Sequence, residues 1–164
     1  MKKIILILLI LGFFSSITFS QEKDSVVTLP SVTVTSIYKV NEAVDKAFRK
    51  GFPKARRLHW YRLNKDYLAK FIKDDMQHQT LFQKNGYIKY DISYGMLLDL
   101  PRNIYDQVNG TYKGYNITRV AKVERDRQTF WIINLEGIKD FVIVRAENGD
   151  LEEVRRLEKS DSTN

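Results

Sequence analysis

One offset organises most of this chain. A step of 63 positions, the distance from Gly86 to Gly149, carries Gly51-Phe52 onto Gly114-Tyr115 and Arg56 onto Arg119. The same step carries Tyr67 onto Phe130, Leu81 onto Val144, Asn85-Gly86 onto Asn148-Gly149 and Ile88 onto Leu151. Turn residues fall on turn residues and apolar on apolar, in a chain with only 8 glycines among 164 residues. The offset predicts a tandem duplication, with unit 40–97 followed by unit 98–158.

Within the first unit, Asn41 has the chemistry of an N-cap, with Glu42 and Asp45 where the helix dipole favours negative charge. Val40, Val44, Ala47 and Phe48 then form one apolar stripe. Arg49 and Lys50 suit the last turn, Gly51 the C′ position, and Pro53 blocks continuation, so Phe52 can fold back onto the stripe. From Arg56 the period changes to two. Leu58 and Trp60 share a face, Asn64-Lys65-Asp66 turns the chain, and Tyr67, Ala69 and Phe71 share the next face. Asp74-Asp75 makes a turn, Gln77–Gln83 a more polar strand, Asn85-Gly86 a hairpin, and Tyr87–Tyr94 a fourth strand.

The second unit repeats the plan. Asp99 is placed to cap a helix with Pro101 in its first turn and Ile104 and Val108 on its buried stripe. Strands are expected at Ile117–Val123, Thr129–Leu135, Ile138–Arg145 and Leu151–Leu157, with turns at Glu136-Gly137 and Asn148-Gly149. Residues 159–164 read as a polar tail. The expected fold class is α+β: two helix-plus-four-strand repeats forming one antiparallel sheet, with helices on one face.

Ahead of the repeats, Met1–Ser20 has a charged start, an apolar run from Ile4 to Phe14 and small residues at Thr18 and Ser20. This predicts a cleaved signal peptide with Gln21 as the first mature residue, hence an exported protein, periplasmic or extracellular. The apolar run is shorter than the roughly 20 residues that span a bilayer. Residues 21–39 alternate Val and Thr around Pro30 and read either as an extended tether, the preferred form, or as an edge strand.

Cysteine is absent, which excludes disulfides, a thiolate nucleophile and a thiolate zinc site. Removing Lys2 and Lys3 with the leader lowers the formal charge from +7 to +5, mildly basic. Charges of both signs are interspersed, which argues against nucleic acid. His59 and His78 lack any His-x-x-x-His or His-x-His spacing and read as sheet-face residues rather than metal ligands. Asp74-Asp75 reads as turn chemistry rather than a catalytic pair. With no nucleophile elbow, phosphate loop or dinucleotide fingerprint either, no enzyme, cofactor or metal is expected.

The run Phe52-Pro53-Lys54-Ala55, then Leu58-x-Trp60, Tyr67-x-Ala69-x-Phe71 and Asn85-Gly86, resembles the exported PepSY-like domains related to the β-lactamase inhibitor protein. Leu100-Pro101 and Gly114-Tyr115-x-Ile117 resemble the second copy usual in such proteins. The resemblance spans about Val40 to Glu158 and implies one antiparallel sheet whose face away from the helices is open to a protein ligand. It implies no enzyme. The second copy departs from the pattern at Val123, where the first has Trp60, and at Asn134, where the first has Phe71.

Carried over by the offset, Phe130 and Ile132 are expected to point to the helices. Trp131, Ile133 and Leu135, with Phe141 and Ile143 on the next strand, are then expected on the open face, because strand residues alternate. His59 and Tyr61 flank Trp60 on that same face. An apolar, aromatic surface of this kind predicts an interface. Its cover would be a partner protein or peptide, a second copy of the chain, or Val26–Val34 folded back. The expected function is a non-catalytic binding module, an enzyme inhibitor being one form of it. The alternative is an envelope-surface module that binds polysaccharide or peptidoglycan fragments through its aromatics.

Overall fold

The computed structural model describes residues 33–160. The expected signal peptide, most of the segment to Lys39 and the end of the polar tail lie outside the described residues. The chain order is β1 (Val34–Ile37), α1 (Glu42–Gly51), β2 (Arg56–Leu63), β3 (Asp66–Lys73), β4 (Met76–Phe82) and β5 (Ile88–Gly95). A short 3-10 turn (Leu97–Asp99), α2 (Arg102–Thr111), β6 (Asn116–Arg125), β7 (Gln128–Glu136), β8 (Asp140–Glu147) and β9 (Asp150–Glu158) follow.

The fold class differs from the α+β repeat expectation. Among the described residues, nine strands form one sheet in the order β1 to β9, each antiparallel to the next, and the two α-helices are only ten residues long. This is a mainly-β fold rather than a pair of helix-plus-four-strand repeats. The ladder runs from β5 into β6 without a break, with Ile92 opposite Val123 and Tyr94 opposite Ala121. Residues 34–37 add β1 at the edge of β2, so this part of the N-terminal segment is the edge strand rather than the tether.

Local chemistry explains α1 well. The Asn41 side chain accepts the Val44 N–H at 2.9 Å and donates to the Lys84 carbonyl at 2.8 Å, capping the helix and tying it to the β4–β5 loop. The helix runs through Gly51, and Phe52 is the cap, its N–H bonded to the Phe48 carbonyl at 2.8 Å. At α2 the expectation fails at its start. Pro101 occupies the cap position with no side-chain bond, while Asp99 accepts the Met96 N–H at 2.7 Å and closes the 3-10 turn instead.

Two apolar clusters lie on the helix side of the sheet. Under α1, Val44 and Phe48 pack with Trp60, Tyr67, Ala69, Phe71 and Phe82. Phe48 meets the rings of Trp60 at 5.3 Å and Phe71 at 5.1 Å, both edge to face. Under α2, Val108 packs with Val120, Trp131, Ile133, Leu135, Val142 and Val144.

This second cluster overturns the parity expected for β7. Trp131, Ile133 and Leu135 are buried beneath α2, and Phe130 and Ile132 are on the other face. No single offset relates the two halves. Phe48 and Val108, each buried on its helix, are 60 apart, whereas Ala69 and Ile133, each at the middle of its cluster, are 64 apart. The hairpin β6–β7 is built from strands of 10 and 9 residues, against 8 and 8 for β2–β3. An offset of 63 therefore misses by one on β7, and a one-residue slip turns every side chain to the opposite face. Leu81 is likewise on the face away from the helices, opposite Leu68 and Tyr90.

Candidate functional site

The register places a continuous set of side chains on the face away from the helices. Tyr61, Leu68, Leu81 and Tyr90 stand opposite one another across β2 to β5. The next rung runs His59, Lys70, Gln79, Ile92, Val123 and Phe130 across β2 to β7. A third runs from Ile72 through Gln77, Tyr94, Ala121 and Ile132 to Arg145. Beyond these, Asn134 faces Ile143, and Phe141 faces Leu157. Leu68, Leu81 and Ala121 are buried although among the described residues no helix lies over them, because larger neighbours such as Tyr61, Tyr90 and Tyr94 stand around them.

Of the seven residues expected on this surface, the structure brings four there. His59 and Phe141 are exposed, Phe141 by 41%, and Tyr61 and Ile143 are half-buried. Trp131, Ile133 and Leu135 belong to the α2 cluster instead. Phe130 and Ile132, expected beneath the helices, are here instead, and Lys70, Tyr90, Ile92 and Tyr94 join them without having been expected. Their signal was present in the period-two pattern of β3 and β5, but only the register shows that they meet.

Charge on this face is uneven. Its carboxylates stand at its margins, and several are beside cations: Asp66 with Lys89 and Glu136 with Lys159, both at 2.7 Å, and Glu147 and Glu152 with Arg145. Cations also cover rings. The Arg145 guanidinium lies 4.5 Å from the Phe130 ring centre and the Lys70 ammonium 5.2 Å from that of Tyr61. The rungs between Tyr61 and Ile132 contain Lys70 but no carboxylate. At the rim, a hollow of about 630 Å³ is bordered by Asp74, Asp75, Tyr94, Met96, Asp99 and Arg119. Asp74 and Asp75 have φ of 50° and 60°, the left-handed pair that a tight hairpin requires, in keeping with their turn role.

His78 is not a surface residue. It is buried on the helix side, stacked on Phe71 at 5.0 Å, with Nδ1 3.0 Å from the Asp91 carboxylate. Thr80 donates to the other Asp91 oxygen at 2.5 Å, and Ser93 stands opposite His78 in the ladder. His78 Nε2 is buried without a hydrogen-bond partner. This cluster packs among the aromatic side chains beneath α1, and among the described residues no third ligating group joins the pair to hold a metal.

Solved structures with the same fold are known. The chain is similar to a BLIP-like protein from Bacteroides fragilis at 18% identity and a TM-score of 0.64, over 78% of this chain and 94% of that one. A DUF2874 family protein from Bacteroides ovatus matches at 20% identity and a TM-score of 0.61, over 76% and 92%. A candidate periplasmic protein from Bacteroides eggerthii matches at 15% and 0.59, over 77% and 94%. No protein-family model matches the sequence, and no curated protein does. The fold is thus BLIP-like, in keeping with the inhibitor-protein half of the sequence resemblance. The PepSY assignment and the duplication find no support in these likenesses.

Proposed function

We propose that this protein is an exported, non-catalytic binding module that recognises a protein or peptide through the open face of its sheet, inhibition of an enzyme being one form this takes. The observation that carries the reading is the surface itself. Tyr61, Tyr90, Ile92, Tyr94, Phe130 and Ile132, joined through Leu68, Leu81, Val123 and Ala121, form an apolar and aromatic area from β2 to β7 with no helix over it among the described residues. Aromatic residues with a polar tip are favoured at protein interfaces because they bury large area at small entropic cost. The likeness to a BLIP-like protein supports the same use of the fold, and the enclosed His78–Asp91 pair supports a non-catalytic role.

Quantitative affinity capture from envelope extract tests this. Wild-type chain should enrich a protein that Tyr94→Glu and Ile132→Glu lose and that Lys46→Glu, on exposed α1 surface, retains. Equal capture by all four chains would overturn the reading. The three half-buried tyrosines also favour a second one, recognition of polysaccharide or peptidoglycan fragments. Retention on a glycan array, abolished by Tyr94→Ala, with no captured protein would establish it. Export itself predicts an intact mass that starts at Gln21.

A further inference from the structure

One end of the open face is built differently from the rest. Between Arg56 and His59 the ladder of β2 and β3 slips, and Arg57 takes a φ of 55°. That conformation is unfavourable for a side chain of this kind, and bulges commonly re-aim side chains near binding sites. The Arg57 carbonyl is 2.9 Å from His59 Nδ1. A carbonyl can only accept, so His59 carries its proton on Nδ1 and its ring is held against the bulge.

Arg57, His59, Tyr61, Lys70, Gln77 and Gln79 border a depression of about 220 Å³ whose wall contains no carboxylate. The neighbouring Arg56 is paired with Asp75 at 2.9 Å, and Lys89, Lys159 and Arg145 have their own carboxylates. Among the described residues neither Arg57 nor Lys70 has one. Two cations left unneutralised around one hollow favour an anion. The hollow is several times the roughly 30 Å³ share of one water, and Tyr61 and Ile72 add apolar wall, so an anion on an organic stem fits better than a bare ion.

We propose that this depression is a carboxylate-recognition site for an acidic peptide. A glutamate or aspartate side chain of the peptide enters between Arg57 and Lys70, its methylenes lie against Tyr61 and Ile72, and the Gln77 and Gln79 amides supply further donors. The proposal rests on the open-face reading and adds the chemistry of the partner.

The test is titration of ¹⁵N-labelled chain with acetylated, amidated tetraglutamate. Amide shifts should centre on His59, Lys70 and Gln79. Lys70→Gln should weaken binding roughly tenfold, as loss of one charge-assisted hydrogen bond implies. Lys70 is exposed, so that variant should keep its melting temperature. Lys70→Glu should reverse the preference and respond to tetralysine. Shifts confined elsewhere, equal shifts with tetraserine, or the same amides responding as strongly to inorganic phosphate would each overturn the site. If capture of a protein still depends on Tyr94 while the depression is silent, the open-face reading stands and this site falls.

Discussion

Trp131 and Ala146 stand opposite each other across β7 and β8, on the side of the sheet that α2 covers. Trp131 is 9% exposed, and Ile133 and Leu135, next along the same face, are 0% and 1% exposed. A carboxylate at Trp131 would be desolvated among apolar neighbours while a large side chain is lost. Trp131→Asp should therefore cost more than about 4 kcal/mol and collapse the urea melt. Phe141→Asp, on the open face, should cost no more than about 1 kcal/mol. Similar losses in the two variants would contradict this placement.

The α1 cluster makes the same test on one strand. Trp60, between Phe48 at 5.3 Å and Phe82 at 5.7 Å, should lose about 3–5 kcal/mol on Trp60→Ala. Its exposed neighbour should lose within about 0.5 kcal/mol on His59→Ala. Paired chemical melts measure both.

Two glycines separate strain from collision. Gly86 and Gly149 both have positive φ, 86° and 92°. A Cβ at Gly86 would lie 2.6 Å from the Ala43 carbonyl oxygen of α1, whereas at Gly149 it would meet nothing within 4 Å. Gly149→Ala should cost about 1–2 kcal/mol, the left-handed penalty alone. Gly86→Ala should cost clearly more, because backbone must move as well. Equal losses in thermal melts would show that α1 is not seated on that loop.

Acid should weaken the end of the sheet near α2. Burial tends to raise the Asp140 pKa, but hydrogen bonds from Arg156 and Tyr115 outweigh it and hold the carboxyl below its ordinary value. A carboxyl with a depressed folded-state pKa contributes stability that is complete above its unfolded pKa and is lost as pH falls through the folded one. The gap between wild type and Asp140→Asn should thus be largest at neutral pH and shrink below about pH 4. A gap that is constant from pH 7 to pH 3 in urea melts would rule out this linkage.

The helix cap offers a smaller effect. Asn41→Ala removes the bond to Val44 and the tie to Lys84, and should cost about 1 kcal/mol. Asn41→Asp should restore the cap but not the tie, because a carboxylate cannot donate to the Lys84 carbonyl. A fall for Asp as large as for Ala would assign the whole effect to the loop.

What the amino-acid sequence determined by itself is what is decided within a few residues. The Asn41 cap, the Val44–Phe48 stripe, the period-two strands, and the turns at Asp74-Asp75, Asn85-Gly86 and Asn148-Gly149 all depend on local backbone and side-chain chemistry. Alternation on β2 correctly set Trp60 beneath α1 and His59 and Tyr61 away from it. It failed one residue earlier, at Leu58, which the bulge leaves 37% exposed. The tertiary structure decided what depends on pairing between strands. Two extra residues in β6 and one in β7 shift the alignment, and with a period of two an error of one position exchanges core for surface along the whole of β7. The burial of His78 likewise follows from partners distant in sequence, Phe71 and Asp91, which only the ladder brings to it. The depression between Arg57 and Lys70 has the same origin. Neither residue stands out in the sequence, and a slip in register between two strands is what sets them around one hollow.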